Sequence, residues 1–376
     1  MEFIIDNEYF GKAISDVSKA VSSKTPFPIL SGIKIVASKK GLILIGSNTD
    51  IIIEKKIPFM MNGVEILEVR QSGSVVISAK YLSEIVKKLP NKLHIKVNEK
   101  QLATIKSDEV VTQLYGLNAD EYPSLPPIDE ANNIKIRSGD FIESIKQTTF
   151  AVSKSETRPA LTGVNMIFKG NHLSWIATDS HRLSIRELEI ESNVTRSIVI
   201  PSTSLNDISK LVSSESDLIN IIVLERYIVF KLNGISFFSR LIDANYPNTS
   251  RLLPNDFKTI ITLNTKQFLK GIDRACLFAS DWKNNNVHLK IQGKEILNIS
   301  SNASEIGKLE ENQPREKIMG EMELSISLDG CFLMDVLKVI KEEEVSLSFG
   351  GSMRPVLINP LDNSSFLHLI SPVRSN

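Results

Sequence analysis

One pattern in this chain occurs three times, and it constrains the fold more than any single motif does. "AVSSKTPFPILSGI" (Ala20 to Ile33) matches "AVSKSETRPALTGV" (Ala151 to Val164) without a gap. Phe10 pairs with Phe141, Ile14 with Ile145, Pro28 with Pro159 and Gly32 with Gly163, each at an offset of 131 residues. The register runs on, so that "LILIGSNTD" (Leu42 to Asp50) falls on "LSWIATDSH" (Leu173 to His181). A fainter third copy starts at "KQFLKGIDRACLFAS", with Phe268 and Ile272 in the places of Phe141 and Ile145. A second element, "LSEIVK" (Leu82 to Lys87), recurs as "LNDISK" (Leu205 to Lys210) and "LMDVLK" (Leu333 to Lys338). Two elements repeated in the same order three times mark a triplicated unit.

Each unit reads alike. Phe10, Ala13, Ile14, Val17, Ala20 and Val21 lie on one face at helical spacing. Short alternating strands follow, such as "IKIVAS" and "LILIGS", bounded by glycine, asparagine and serine. A second helix carries Leu82, Ile85, Val86 and Leu89 as its apolar stripe, and further strands come after it. Helices separated by several consecutive strands predict largely antiparallel sheets and an α+β class. The joints are the proline-rich "EYPSLPPIDEANN" (Glu121 to Asn133) and "NYPNTSRLLPND" (Asn245 to Asp256). They divide the chain into three domains, 1–126, 127–254 and 255–376. The polar stretch "EENQPREKIMGE" (Glu310 to Glu321) reads as a mobile loop.

Composition narrows the setting. Lys plus Arg equals Asp plus Glu at 44 each, so net charge singles out no partner, and a basic face can hide behind an acidic one. Cys276 and Cys331 are too few for a disulfide framework and read as buried thiols in a reducing compartment. The opening "MEFIIDNEYF" lacks the basic and apolar regions of a signal peptide, and no apolar run is long enough to span a bilayer. The expected location is the cytoplasm.

The helix faces turned away from the core carry lysine in every unit. Lys12 and Lys19 share one face of the first helix; Lys266, Lys270 and Arg274 do the same in the third unit. On the second helices Lys80, Lys87 and Lys88, then Lys210, then Lys338 and Lys341 point outward. A solvated helix face explains any one of these, and acidic neighbours such as Asp16, Glu84 and Asp207 favour that view. Repetition in all three units, without interleaved aromatic residues to stack bases, instead suits contact with phosphates and no reading of sequence.

"ATDSHRLSIRE" (Ala177 to Glu187) has the vocabulary of a hydrolase in Asp179, Ser180 and His181. Adjacent residues do not make a charge-relay triad, which is assembled from separate segments, and no Gly-x-Ser-x-Gly elbow occurs. The five histidines, His94, His172, His181, His288 and His368, show no metal-ligand spacing. Gly307-Lys308 lacks the first glycine of a phosphate-binding loop, having Asn302 there. The stretch therefore reads as a surface: an apolar floor at Leu183 with Arg182 and His181 on a polar rim, suited to a short peptide. Two rivals stay open on residues alone, an open three-domain arc lying along DNA and a hydrolase centred on Asp179 and His181.

The motifs "PFPILSGIKIVAS", "SEIVKKLP", "ADEYPSLP", "FAVSKSETRPALTGVN", "ATDSHRL", "FFSRLIDANYPNTSRLLP", "EIGK", "SMRPVLI" and the terminal "SPVR" give the chain a family. Over nearly its whole length it resembles the bacterial DNA polymerase III β subunits, the sliding clamps, most of all those of the Bacillus and Staphylococcus type. The resemblance implies a DNA-clamp fold of three similar domains, two chains head to tail in a ring, and duplex DNA in a helix-lined pore. It also implies a processivity factor without catalysis or cofactor, on which polymerases, the clamp loader, mismatch-repair and initiation-regulating proteins dock by short peptides. By position the peptide groove falls on Arg158, Leu161, Thr178, His181, Arg182 and Leu183, with Pro247, Arg251 and Leu252. The third domain adds Phe332, Met353, Pro355, Pro372, Val373 and Arg374. DNA contact carries over to Lys24, and the contact between chains to the "EVVTQLYG" strand, with Leu114 meeting Leu277 and Phe278.

The chain departs from the family at three places. Ser155 and "RPAL" stand where some family members carry a glutamine and tyrosines near DNA, Trp282 sits in a loop of the third unit, and two residues follow Arg374. Pore size supports the dimer: at ~10 Å per helix, six helices leave a hole of about 9 Å and twelve leave about 28 Å. Only the second admits a duplex on the order of 20 Å wide.

Overall fold

A computed structural model describes residues 1–22, 25–129, 133–254, 256–279, 285–293, 295–303 and 306–373. Among them lie six helices: α1 (Asn7–Ser18), α2 (Ala79–Val86), α3 (Ser138–Thr148), α4 (Ser202–Ser209), α5 (Thr265–Cys276) and α6 (Gly330–Val339). The chain divides into two compact units, one of residues 1–140 with 203–241, the other of 141–202 with 242–376. Both draw on the second repeat. None of the helices described is long and apolar enough to cross a membrane.

In the first unit, Asp6 caps α1 by accepting from the Glu8 N–H at 3.0 Å. Phe10, Ala13, Ile14 and Val17 are buried, as their spacing predicts. The helix stops at Ser18, before Ala20 and Val21, because the last turn tightens to bonds from Ala20 N to Val17 O and Val21 N to Ser18 O. The helix lies against α2 and the strand Gly41–Ser47. Gly46 makes this approach possible, since a Cβ there would collide with the Val17 carbonyl. The unit's main sheet has thirteen strands, from Asn133–Arg137 at one edge to Leu67–Gln71 at the other. A short hairpin, Met60–Met61 with Val64–Glu65, stands out in solvent.

The second unit holds a nine-stranded sheet, from Thr195–Pro201 to Lys317–Gly320, and a four-stranded sheet whose outer strand is Gly307–Pro314. Asn264 caps α5 and Asp329 caps α6. Their core includes Phe268, Ile272, Leu333 and Leu337.

The repeats meet by strand pairing, and the register is itself repeated. Ile51–Ile57 pairs with Ile235–Arg240, placing Ile51 opposite Ser239 and Lys55 opposite Ile235. Arg182–Glu189 pairs with Phe366–Ile370, placing Arg182 opposite Ile370 and Arg186 opposite Phe366. Every partner is displaced by the same 131 residues found in the sequence.

Two expectations are corrected. Glu310–Glu321 is no loop: it contributes to the strands Gly307–Pro314 and Lys317–Gly320. Its polar residues hid the alternation, since the residues turned inward are Gln313 and Arg315. The cysteines are not both buried either: Cys331 is exposed at the start of α6, and half-buried Cys276 has its thiol pushed up to about 11 by burial.

Candidate functional site

The turn between strands His172–Thr178 and Arg182–Glu189 is held by its own side chains. Asp179 Oδ1 accepts from the N–H groups of His181 at 2.9 Å and Arg182 at 3.0 Å. Thr178 Oγ1 donates to the Arg182 carbonyl at 2.6 Å and accepts from the Ser180 N–H at 3.1 Å. This bonding supports Ser180 at φ +79, a left-handed conformation that costs a non-glycine residue energy. Asp179 Oδ2 accepts from Arg182 Nε at 3.0 Å, so both carboxylate oxygens serve the turn. That commitment speaks against Asp179 as the orienting member of a hydrolytic triad.

Beside the turn lies a cavity of about 520 Å³. Five residues expected in the peptide groove line it: Arg158, Leu161, Thr178, Pro247 and Leu252. Ser180, from the stretch read as a surface, lines it too, as do Pro159, Ala160, Ala244, Asn245 and Thr249, which were not assigned to the groove from the sequence. The signal for Ala244 to Thr249 was present in the "NYPN" joint, which reads as a linker but also forms a wall. Arg158 Nη1 donates to Ser180 Oγ at 3.3 Å along the lining. Tyr246 Oη accepts from the Thr178 N–H at 3.0 Å, and burial pushes its phenol well up, so the hydroxyl stays neutral.

Arg182 departs from the rim position expected of it. It is buried, donating from Nη1 to Asp335 at 2.7 Å and from Nη2 to the Phe150 carbonyl at 2.5 Å. Its guanidinium lies 4.2 Å from the centre of the Phe332 ring and 5.4 Å from that of Phe150. Leu183 is also buried, in a cluster with Ile176, Ile185 and Leu369 rather than on the cavity wall. His181 is exposed, and its carbonyl accepts from the Ser371 N–H at 2.8 Å. Val373 N donates to Ser327 O at 2.8 Å, so the chain end is tied down through Val373. Arg251 and Met353 are exposed, while Phe332, Pro355, Pro372 and Val373 are half-buried. None of these is among the cavity-lining residues. Arg374, Lys24 and Trp282 lie outside the described residues.

Every other basic residue expected to face DNA is exposed, namely Lys12, Lys19, Lys80, Lys87, Lys88, Lys210, Lys270, Arg274 and Lys338. Several are already engaged. Lys210 meets Asp207 at 2.8 Å, Lys87 meets Glu84 at 3.7 Å, and Lys19 donates to the Lys210 carbonyl at 3.1 Å. Arg274 is bidentate on Glu311, at 2.6 and 2.8 Å.

The strand Val110–Leu117 pairs with Leu102–Ser107 along one side, but on its other side only Gly116 and Leu117 pair. Val110, Val111 and Tyr115 are exposed and Leu114 half-buried along the open stretch. The strand Gly307–Pro314 is likewise paired on one side among the described residues. Leu277 is 70% exposed, and Phe278 lies beside Gly307, whose added Cβ would stand 3.7 Å from its ring.

Comparison with known proteins also falls into three parts, with bounds of its own. The family profile for the DNA polymerase III beta subunit, N-terminal domain, matches residues 1–126. Those for its central and C-terminal domains match 135–248 and 250–374. The chain is 45% identical to the beta sliding clamp of Bacillus subtilis and 38% identical to that of Staphylococcus epidermidis, with full coverage on both sides. Its structure resembles the crystal structure of the DNA polymerase sliding clamp from Bacillus subtilis at a TM-score of 0.97 and 44% identity. It also resembles the DNA polymerase III beta chain from Streptococcus pneumoniae at a TM-score of 0.94 and 33% identity. All of each chain is covered in both cases.

Proposed function

We infer the function from one premise: this chain belongs to the DNA polymerase III β-subunit family, the bacterial β sliding clamps. It is a processivity factor, an accessory subunit of the polymerase rather than a catalyst. The finer reading has three parts. Domains 1–126, 127–254 and 255–376 repeat one unit; two chains close head to tail around duplex DNA; polymerases, the clamp loader and other replication and repair proteins dock in the cavity beside Ser180. The place of action is the cytoplasm.

The observation that carries the dimer is the repeated register. Within the chain, the last strand of the second repeat pairs with the fourth strand of the first, and the third repeat joins the second in the same way. One strand of each kind is left over, Val110–Leu117 and Gly307–Pro314. Hairpin alignment puts Val110 in the role of Ile235 and Gly307 in the role of Arg182. Applied between two copies, the rule places Val110 opposite Glu311 and Leu114 opposite Gly307. Leu114 then faces Phe278, which lies beside Gly307, in line with the contact that the family resemblance implies. An unmated edge rich in apolar side chains needs such cover.

For the groove, the supporting observation is the apolar cavity ringed by Arg158, Leu161, Thr178, Pro247 and Leu252. Calorimetric titration with a peptide from the replicative polymerase tests it. Removing residues 372–376 is expected to weaken that peptide while leaving native mass dimeric; unchanged affinity speaks against the tail's part in the groove. For encirclement, the protein loaded on circular DNA is expected to resist high salt and to be lost from linear DNA, because phosphate contacts alone weaken with salt.

A further inference from the structure

The apolar floor behind the cavity, none of whose buried residues is among those lining it, exists twice in this chain. Ile176, Leu183 and Leu369 form the cluster under the second–third repeat junction, with Tyr246 packed on it and Leu161 in the cavity wall. Their counterparts, Ile45, Ile52, Phe238, Tyr122 and Leu30, form one cluster at the first–second junction. Each tyrosine hydroxyl meets backbone of its own floor: Tyr122 Oη donates to the Ile45 carbonyl at 3.4 Å, and Tyr246 Oη accepts from the Thr178 N–H at 3.0 Å. What differs is the joint that crosses each floor. The first reads Tyr122-Pro-Ser-Leu125 and packs Leu125 and Ile128 onto its cluster. The second reads Tyr246-Pro-Asn-Thr249. There buried Thr249 stands where Leu125 would be, Leu253 packs on the cluster but Leu252 is 53% exposed, and Thr249 and Leu252 both line the cavity of about 520 Å³.

We propose that this position, Leu125 in one joint and Thr249 in the other, decides which junction accepts an apolar peptide. The first junction is a peptide site with its occupant built in: residues 125–128 of the chain lie where a partner's apolar side chains lie at the second. The proposal rests on reading the cavity as the docking groove, and it adds why only one of two equivalent floors is open. A leucine at 249 fills the space that a ligand side chain needs, whereas a smaller residue at 125 vacates the matching space at the first junction.

Two variants of the full-length protein test it, each checked for cooperative thermal unfolding. Thr249→Leu is expected to weaken a polymerase-derived peptide at least about tenfold. In that background, Leu125→Ser is expected to bind a labelled synthetic peptide of residues 121–129, one per chain, whereas Thr249→Leu alone does not. Should Leu125→Ser fail to fold, Leu125→Ala takes its place. Wild-type affinity in Thr249→Leu overturns the proposal, and so does absence of self-peptide binding by the folded position-125 variant. Failure of the wild-type protein to bind the polymerase peptide is a different result, since it removes the groove reading itself.

Discussion

Arg182 donates to Asp335 at 2.7 Å across 153 residues of sequence, and the two carboxylates on this guanidinium are exposed to different degrees. The Arg182 side chain is 8% exposed and that of Asp179 14%, against 39% for Asp335. Arg182→Ala removes the cation from half-buried Asp179, which keeps its two backbone N–H bonds, and costs about 1–3 kcal/mol. Asp335→Asn breaks a pair whose acid is partly solvated and costs about 0.2–1 kcal/mol. Denaturant midpoints should rank the variants in that order. Because Arg182 also holds the turn that carries Ser180, Arg182→Ala is expected to lose peptide affinity as well.

The register proposed between copies is open to a geometric check. Cysteines at Thr112 and Leu309, which it places opposite each other, should form an inter-chain disulfide in a background lacking Cys276 and Cys331. Cysteines at Thr112 and Glu311 should not, being two residues out of register. Leu114→Asp should lower native mass at low concentration, since it directs a charge at Phe278.

His368 gives stability a dependence on mildly acidic pH. The ring is fully buried between Phe366 and Phe150, and neither nitrogen has a hydrogen-bond partner. Burial first, and then the Arg182 charge, hold its pKa well below the ordinary 6.5. As pH falls below that value the unfolded chain takes up a proton that the folded chain refuses, so stability declines by up to about 1.4 kcal/mol per pH unit. Glu2, Glu68 and Glu311 are held below their ordinary 4.5, so their loss comes at lower pH. Unfolding midpoints between pH 7 and 5 should fall in the wild type and flatten in His368→Gln.

The lysines expected to face DNA should act together. Lys12→Glu alone is expected to change DNA retention little. Changing Lys12, Lys19, Lys24 and Lys87 together should slow loading and sliding and lessen the salt dependence of binding, equally on all sequences. A loss confined to particular sequences would point to base reading.

Much of this architecture was legible because the repeat is literal. The offset that aligned Phe10 with Phe141 also sets which residues face each other at the strand junctions. Helix faces were legible for the same reason: Leu82 and Val86 are apolar at helical spacing and are buried. Legibility failed where polar residues face inward or where partners are remote. The strand through Glu310 to Pro314 alternates only in burial, with Gln313 supplying its inner position. Thr178, Leu161 and Pro247, expected by position, do line the cavity, but the burial of Arg182 depends on Asp335 and Phe332 of a helix that no local pattern connects to it. Thr249 looked like ordinary linker because its importance is the volume it leaves unfilled.

The two half-paired strands have a consequence for what happens when assembly goes wrong. Val110–Leu117 and Gly307–Pro314 differ in sequence, so the joint proposed between them is heterologous, and such joints do not limit their own repetition. Closure uses up both ends. A change that alters the bend from one copy to the next would leave the strands compatible yet the circle open, and growth would continue as a filament. Screening for variants that lose the dimer should therefore look for large species as well as for monomers.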